Sequence, residues 1–404
     1  MTPKKIALCL SIALAGSCSS IVFAEDTMKS VNSITDALIN GKTSANMNLR
    51  YEGVSQDNAL KDASAFTLRT RLTYETGTFA GFSSLVEFED SRVVAGIDDY
   101  NNTLGKNAGE YSVIADPETT ELDQAFLQYK QDIFSVKAGR QVITMDNHRF
   151  VGHVGWRQDR QTFDALSLDF TPMKGMTLDY SYITQRNRIF AEAKDIDSND
   201  HLLNASYKTG IGKVTAYGYL LEVDNDTDNS LDTFGLRLNG GKDITYSVEY
   251  ATQSSESGGT SYDADYLLAE VGTKFSGIGL KLGYELLGSD DGNYGFSTPL
   301  ATLHKFNGWS DQFLNSPKEG LQDLYASIGG KLAGVKWALV FHKFDADQAS
   351  ATVDDLGSEI DAVYKYSFTK NYSGGIKLAA YSAGDVGSGK VDTEKLWLWV
   401  NAKF

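Results

Sequence analysis

Leu396-Trp397-Leu398-Trp399-Val400-Asn401-Ala402-Lys403-Phe404 closes the chain, and counting back by twos from Phe404 gives Ala402, Val400, Leu398 and Leu396, all apolar. Lys403, Asn401 and Lys395 fall in the opposite phase. A strand turns alternate side chains to opposite faces, so this stretch suits a wall with oil on one side and water on the other.

The opposite end of the chain reads as an export leader. Lys4 and Lys5 precede the apolar run from Ile6 to Ala15, and Val22-Phe23-Ala24 supplies small residues for cleavage after Ala24. A lipoprotein anchored at Cys18 is the rival, but Ala15-Gly16-Ser17 lacks the large aliphatic residue expected three places before such a cysteine. Both cysteines, Cys9 and Cys18, lie in the leader, which leaves the mature chain without a disulfide, a thiolate metal site or a cysteine nucleophile. Losing residues 1–24 removes two lysines and no acid, taking the net charge from -16 to -18. So acidic a chain is a poor partner for nucleic acid. Beyond the leader no segment reaches the ~18 to 20 consecutive apolar residues of a spanning helix, so any membrane crossing falls to strands, and in lipid only a closed barrel satisfies every strand amide. A secreted β-sandwich or β-helix would share the strand period but not the terminal strand or the loop rhythm.

Period-two segments bounded by Gly, Asn, Asp or Pro begin near residues 45, 65, 79, 122, 133, 162, 176, 201, 213, 231, 243, 262, 279, 321, 335, 358, 372 and 393. Their connections alternate between short turns such as Thr76-Gly77-Thr78 and long polar loops, above all 91–120 and 288–320. Short periplasmic turns, long extracellular loops and an even strand number describe an all-β, transmembrane up-and-down antiparallel β-barrel of 18 strands over residues 44–404. In Phe66 to Tyr74, Phe66, Leu68 and Tyr74 oppose Arg69 and Arg71; Leu280, Leu282, Tyr284 and Leu286 oppose Lys281 and Glu285. Facing is open for the strands near 213, 262 and 372, where a slip of one residue exchanges the faces. All five prolines avoid strand interiors. In the periplasmic segment 25–43, Val31, Ile34, Leu38 and Ile39 are spaced for a short helix ending at Gly41, either capping the mouth or frayed.

A wall of eighteen strands is roughly 35 Å across at the backbone, too wide for its own side chains to fill, so loops must narrow it. Loops 91–120 and 288–320 are the candidates, the second carrying Phe296, His304, Lys305, Phe306 and Trp309, a set that can stack on a sugar or pack on itself. All 11 arginines lie between Arg50 and Arg237. Arg50, Arg69 and Arg71 are neighbours on the first two strands; Arg149, Arg157 and Arg160 enter from a loop, and Arg237 follows farther round. Facing the inward acids Asp323, Glu359 and Asp361, such guanidinium groups would bind carboxylate or sulfate. Pairing with wall acids such as Glu52, Glu75, Glu87 and Glu89 is the structural alternative. Arg140 follows the outward phase of Val136 and Ala138, where a midplane arginine costs ~2 to 4 kcal/mol, so a bulge at Gly139 turning it inward, or a place above the apolar band, is expected.

Gly139-Arg140-Gln141-Val142, Asp146-Asn147-His148-Arg149-Phe150-Val151-Gly152, Gly155-Trp156-Arg157-Gln158 and Thr162-Phe163-Asp164-Ala165 resemble the alginate-export family of outer-membrane porins, as does Phe296 to Trp309. The terminal Phe404 similarly resembles the signal read by the outer-membrane assembly machinery. The family resemblance implies an eighteen-stranded barrel in a Gram-negative outer membrane, surrounded by lipid and lipopolysaccharide, whose arginine-rich lumen conducts an anionic uronate polymer. By matching motifs, Arg140, Arg149 and Arg157 are the residues it carries over.

Other chemistry is weaker. Asp224-Asn225-Asp226-Thr227-Asp228 begins like a calcium loop but has Asn229 in place of glycine and Gly235 in place of the closing glutamate, which favours a solvated acidic loop. Asp146 near His148 is the best local pair for a barrel hydrolase, yet no oriented nucleophile accompanies it. The expected function is a passive channel for small or oligomeric acidic solutes, with no catalytic residue, metal or cofactor; a general porin, a hydrolase and a surface adhesin are the alternatives.

Overall fold

The computed structural model describes residues 32–404, so the expected leader at 1–24 lies outside the described residues. A six-residue helix α1 (Ile34–Ile39) precedes β1 (Lys42–Gln56), β2 (Ala63–Glu75), β3 (Phe82–Asp99), β4 (Thr119–Lys130), β5 (Phe134–Gln141) and β6 (Thr162–Phe170). There follow β7 (Met176–Asn187), β8 (Ile196–Thr209), β9 (Gly212–Leu221), β10 (Asn229–Gly241), β11 (Ile244–Ser257), β12 (Thr260–Phe275) and β13 (Ile278–Leu287). A small hairpin, β14 (Ser289–Asp290) with β15 (Tyr294–Gly295), stands apart from the wall. The wall resumes with β16 (Leu321–Leu332), β17 (Val335–Asp345), β18 (Asp355–Ser367), β19 (Tyr372–Ser382) and β20 (Thr393–Lys403).

Every wall strand pairs antiparallel with its sequence neighbours in one 18-stranded sheet, and β20 returns to β1 from Asn46↔Lys403 to Gln56↔Thr393. Closure leaves no open edge, so each backbone amide of the wall has an inter-strand partner available. The expected loop 91–120 is shorter than its sequence suggested. β3 continues to Asp99 and leaves residues 100–118 as the connection, because Thr67↔Val93 and Ser64↔Asp99 extend the ladder across a register shift.

The two faces separate as a lipid-embedded wall requires. Leu72, Leu280, Leu282, Leu398 and Val400 are exposed on the outside, while Arg69, Arg71, Glu285, Lys395 and Trp397 are buried inside. The unassigned strands resolve in the same way: Thr215, Tyr217 and Tyr219 of β9, Ala264, Tyr266 and Leu268 of β12, and Lys377, Ala379 and Tyr381 of β19 point inward.

At one end the strands turn tightly. Between β12 and β13, Ser276 and Gly277 both have positive φ, 48° and 87°, the mirror-image turn whose twist matches a two-residue hairpin. Helix α1 sits at this end, beside the turn between β2 and β3. The outward-facing Tyr74 hydroxyl donates to Leu38 O, and Gly77 N donates to Ala37 O at 2.9 Å, which holds the helix against the outer rim.

Candidate solute pathway

Loops from the opposite end fold into the barrel and fill much of it. Residues 142–161 and 288–320 run side by side: Gly152 N donates to Leu300 O at 2.8 Å and Thr302 N to His148 O at 3.0 Å. Phe150, Val151, Phe296, Leu300 and Phe313 from these loops pack on the inward faces of Phe163, Tyr217, Tyr266, Phe344 and Tyr381, forming a hydrophobic core inside the wall. Residues 100–118 add a smaller cluster, Tyr100 and Ile114 on Val54, Ala63 and Ala65.

Charged side chains fasten these loops to the wall. Arg149 reaches Glu285 at 2.6 Å, Thr298 at 3.2 Å and Asn307 at 3.1 Å, with the Phe306 ring centre 4.9 Å from its guanidinium carbon. Asp311 accepts from Arg157 at 3.0 Å, Lys395 at 2.7 Å and His304 Nδ1 at 2.6 Å. Burial opposes ionisation of Asp311, but the charges of Lys395 and Arg157 and the hydrogen bond from His304 outweigh it and hold the carboxyl well below the usual range. Burial is also the main reason that His304 is pushed down to about 3. The imidazole is therefore neutral, donating through Nδ1 and accepting from Lys377 Nζ at Nε2 across 2.6 Å.

Glu359 holds the same loop by its backbone. Asn307 and Gly308 both have positive φ, 53° and 83°, and this turn aims two consecutive N–H groups at one carboxylate. Trp309 N donates to Glu359 at 2.5 Å and Ser310 N at 2.7 Å. A Cβ on Gly308 would stand 2.3 Å from the Glu359 carboxylate, so the site requires glycine. Trp156 stacks on His304 at 5.1 Å, and Lys377 Nζ lies 3.9 Å from the Trp309 ring.

Toward the tight-turn end the lumen opens into a cavity of about 520 Å³. Arg50, Arg69, Arg71, Arg160, Lys331, Lys336, Lys365 and Lys403 line it together with Asn46, Asn48, Asn401 and the rings of Trp156 and Trp399, and no aspartate or glutamate does. A second hollow of about 670 Å³, among Val271, Leu280, Leu282, Leu339 and Phe341, is apolar and lies on the lipid-facing wall.

The arginines expected in the lumen divide into three groups. Arg149, Arg157, Arg160 and Arg237 are inside and ion-paired, with Glu285, Glu52 and Asp311, Glu87 and Asp123, and Glu249 respectively. Arg50 pairs with Asp116 and Arg71 with Glu89, yet both, like Arg160, still border the cavity. Arg69 is the exception. Its guanidinium donates to Asn46, its Nε has no partner, and it forms no ion pair among the described residues. The alternative in which arginines brace the barrel thus describes most of them, although Glu75 takes no part.

Arg140 is not a lumen residue. Gly139 has φ 119° but stays in register with both neighbouring strands, so no bulge rotates the side chain inward. Arg140 lies on the outer face near the loop end of β5, bidentate to Asp164 at 2.8 and 3.1 Å. The ion pair explains how the position tolerates a guanidinium. Phe296, His304 and Trp309 are buried within the loop packing, and Lys305 donates to Asn147 O at 2.7 Å, so this set packs on itself as an anchored plug. Asp323 and Glu359 face inward but serve the loop, Asp323 contacting Asn307 at 3.2 Å and His342 at 2.9 Å.

Residue reasoning missed the lysine half of the cavity. The phase of the terminal strand already pointed Lys403 inward, whereas Lys377, which meets the plug rather than the cavity, could not be placed while the facing of β19 was open. Asp116 and Asp311 gave no local signal of their wall partners, since Arg50 and Lys395 lie 66 and 84 residues away. Among the described residues no group of three or more His, Cys, Asp or Glu side chains could hold a metal ion.

Comparisons with known proteins agree with this architecture. No curated protein matches the sequence. Solved structures do: Pseudomonas aeruginosa OccK9 (OpdG) at 14% identity and TM-score 0.69, covering 91% of this chain and 100% of that one. Acinetobacter baumannii OccAB1 matches at 13% identity and TM-score 0.70 over 94% and 99%, and Pseudomonas aeruginosa OpdK, solved with vanillate, at 11% and 0.68 over 91% and 99%. At such identities the likeness concerns the fold. The family model described as alginate export matches residues 36–288, well over half of the sequence, and the chain belongs to that family.

Proposed function

We propose that the protein is an outer-membrane channel through which small or oligomeric acidic solutes, acidic saccharides among them, diffuse passively. One observation carries the proposal: the cavity inside the barrel is lined by eight basic side chains and no carboxylate, although the chain as a whole is strongly acidic. Arg69, buried and without an ion pair, offers a guanidinium for which a solute carboxylate is a natural partner. The rings of Trp156 and Trp399 border the same space and give a flat apolar surface beside the cations, a combination suited to a sugar acid. The likeness to OpdK, solved with vanillate, accords with an anionic solute. In this reading the apolar exterior suits a wall set among outer-membrane lipid and lipopolysaccharide, and Phe404 would be the element offered to the assembly machinery. Short turns then face the periplasm and long loops the exterior. Nothing in this reading requires catalysis.

A general diffusion porin is the second reading, favoured by the internal pairing of most lumen arginines. Blockade of single-channel current separates the two. An oligogalacturonate should interrupt the current at concentrations where a neutral glucan oligomer of the same length does not, and Arg69→Gln should weaken that block. Equal block by both oligomers would support the general porin.

A further inference from the structure

The apolar hollow of about 670 Å³ on the outer wall follows the cross-strand register. One row of its side chains runs Ile244, Thr273, Leu280, Ile328 and Leu339, each the direct partner of the next. A second row, two residues farther from the turns, runs Val271, Leu282, Ala326, Phe341 and Ile360. Ala326 is its floor, a single methyl group between Leu282 and Phe341. Strand stagger makes these rows climb. Ile244 opens β11 at the rim, whereas Thr273 stands two residues before the turn end of β12, Ile328 four before that of β16 and Ile360 seven before that of β18. Seven residues at ~3.3 Å, inclined by about 40°, rise roughly 18 Å, while one leaflet of a ~30 Å hydrocarbon core is about 15 Å deep. The trough thus starts at headgroup level and ends near the midplane, the course of one acyl chain. Phe275, 78% exposed beside the turn, marks the same level, since aromatic rings gird barrels at the membrane interface.

The polar groups in the lining are engaged elsewhere. The Thr273 hydroxyl donates to Asp243 O at 3.0 Å, Lys281 turns inward to Glu270 at 2.6 Å, and Ser327 is buried on the inner face. Nothing is left there for a peptide backbone, whose amides would need partners in lipid. The lower mouth of the trough is basic. Lys242 and Lys274 are exposed beside Ile244 and Thr273, and neither forms an ion pair among the described residues. Asp243 is the one acid in residues 239–246 and 272–279. Two positive charges against one negative leave a net attraction for a phosphate.

We propose that this trough is a site for one anionic phospholipid of the leaflet on the turn side, with an acyl chain lying along Thr273, Ile328 and Ile360 and the phosphate held by Lys242 and Lys274. The inference rests on the membrane orientation given above, in which the turns face the periplasm, and it assigns a ligand to the outer wall rather than to the lumen.

Photo-crosslinking in vesicles tests this. The full barrel is reconstituted in phosphatidylcholine with a trace of phosphatidylglycerol, or of phosphatidylcholine, carrying a diazirine in one acyl chain, and labelled residues are read by mass spectrometry. Lysines at the membrane surface each strengthen the binding of anionic lipid, so two of them, offset in part by Asp243, should give about a tenfold excess of phosphatidylglycerol label on residues 271–282 and 326–341. On the outer faces of β2 and β3, whose turn 76–81 has no lysine, the two probes should label alike. Lys242→Gln/Lys274→Gln should remove the excess at the trough. Ala326→Trp should displace both probes from Leu282 and Phe341, in a variant that still shows the heat-modifiable gel shift of a folded barrel. Equal labelling by the two probes at the trough, or labelling no stronger there than on β2 and β3, would overturn the site. A trough left unlabelled, with Ala326→Cys forming a disulfide-linked dimer, would overturn it in favour of a second copy of the chain. Absence of label from every outward strand would remove the lipid-embedded wall itself.

Discussion

Asparagine at position 311 keeps the side-chain shape and removes the charge on which the plug loop depends. In Asp311→Asn, Lys395 loses its ion pair at 2.7 Å, and Arg157 loses one partner but keeps Glu52 at 2.9 Å. Removing one member of a buried ion pair costs roughly 3 to 5 kcal/mol because the opposite charge stays desolvated. The surviving Glu52 contact argues for the lower end. About 3 kcal/mol is a shift of roughly 10²-fold in the balance between docked and undocked loop. The assay is limited proteolysis of residues 288–320 in the reconstituted barrel beside single-channel recording. Cleavage should accelerate by about two orders of magnitude, since opening is fast relative to cutting and the rate follows the open population. Current should show new transitions to a larger conductance. Asp224→Asn, in a solvated loop, is the control. Cleavage and current indistinguishable from the parent would refute the idea that Asp311 holds the plug.

Gly308→Ala should loosen the same loop by a different route, since a Cβ collides with Glu359 at 2.3 Å and φ is 83°; a cost of ~1 to 3 kcal/mol should again appear as faster cleavage of 288–320. Acidification should act through His304. Docked, it is neutral with its pKa pushed down to about 3, whereas undocked it has the ordinary value near 6.5. The undocked state thus binds the extra proton, and docking weakens by up to about 1.4 kcal/mol per pH unit as pH falls from about 6.5 toward 3. Current noise should rise over that window and should do so less in His304→Gln. Arg140→Ala should leave ion selectivity unchanged and shift thermal stability by no more than ~1 kcal/mol, because its pair with Asp164 is partly exposed on the outer face.

The wall was legible because its signal is local. A period of two needs only neighbouring residues, and each of the eighteen strands lies within five residues of its expected start, β8 being the farthest. Where apolar residues occur on both faces the signal fades: Tyr217, Tyr219 and Leu221 point inward to meet the plug, so β9 has no clean polar face. Arg69 and Arg71 could be placed from the phase of β2 alone. Arg140 could not, because outward arginine is costly only when unpaired, and Asp164 is its partner across the neighbouring strand. The chemistry of the plug was hidden for a related reason. Phe296, His304 and Trp309 read equally as solute contacts or as packing, and the choice was made by Glu359 and Trp156, which lie far off in sequence, and by Asp311, whose wall partner Lys395 does.

The most direct test of a cationic passage through an acidic barrel is the zero-current potential across a KCl gradient, compared between the parent and Arg69→Gln/Arg71→Gln. Chloride should permeate more readily than potassium in the parent, and the double variant should shift the potential toward potassium. A cation-selective parent whose potential the double variant leaves unmoved would contradict the claim that these guanidinium groups govern what crosses.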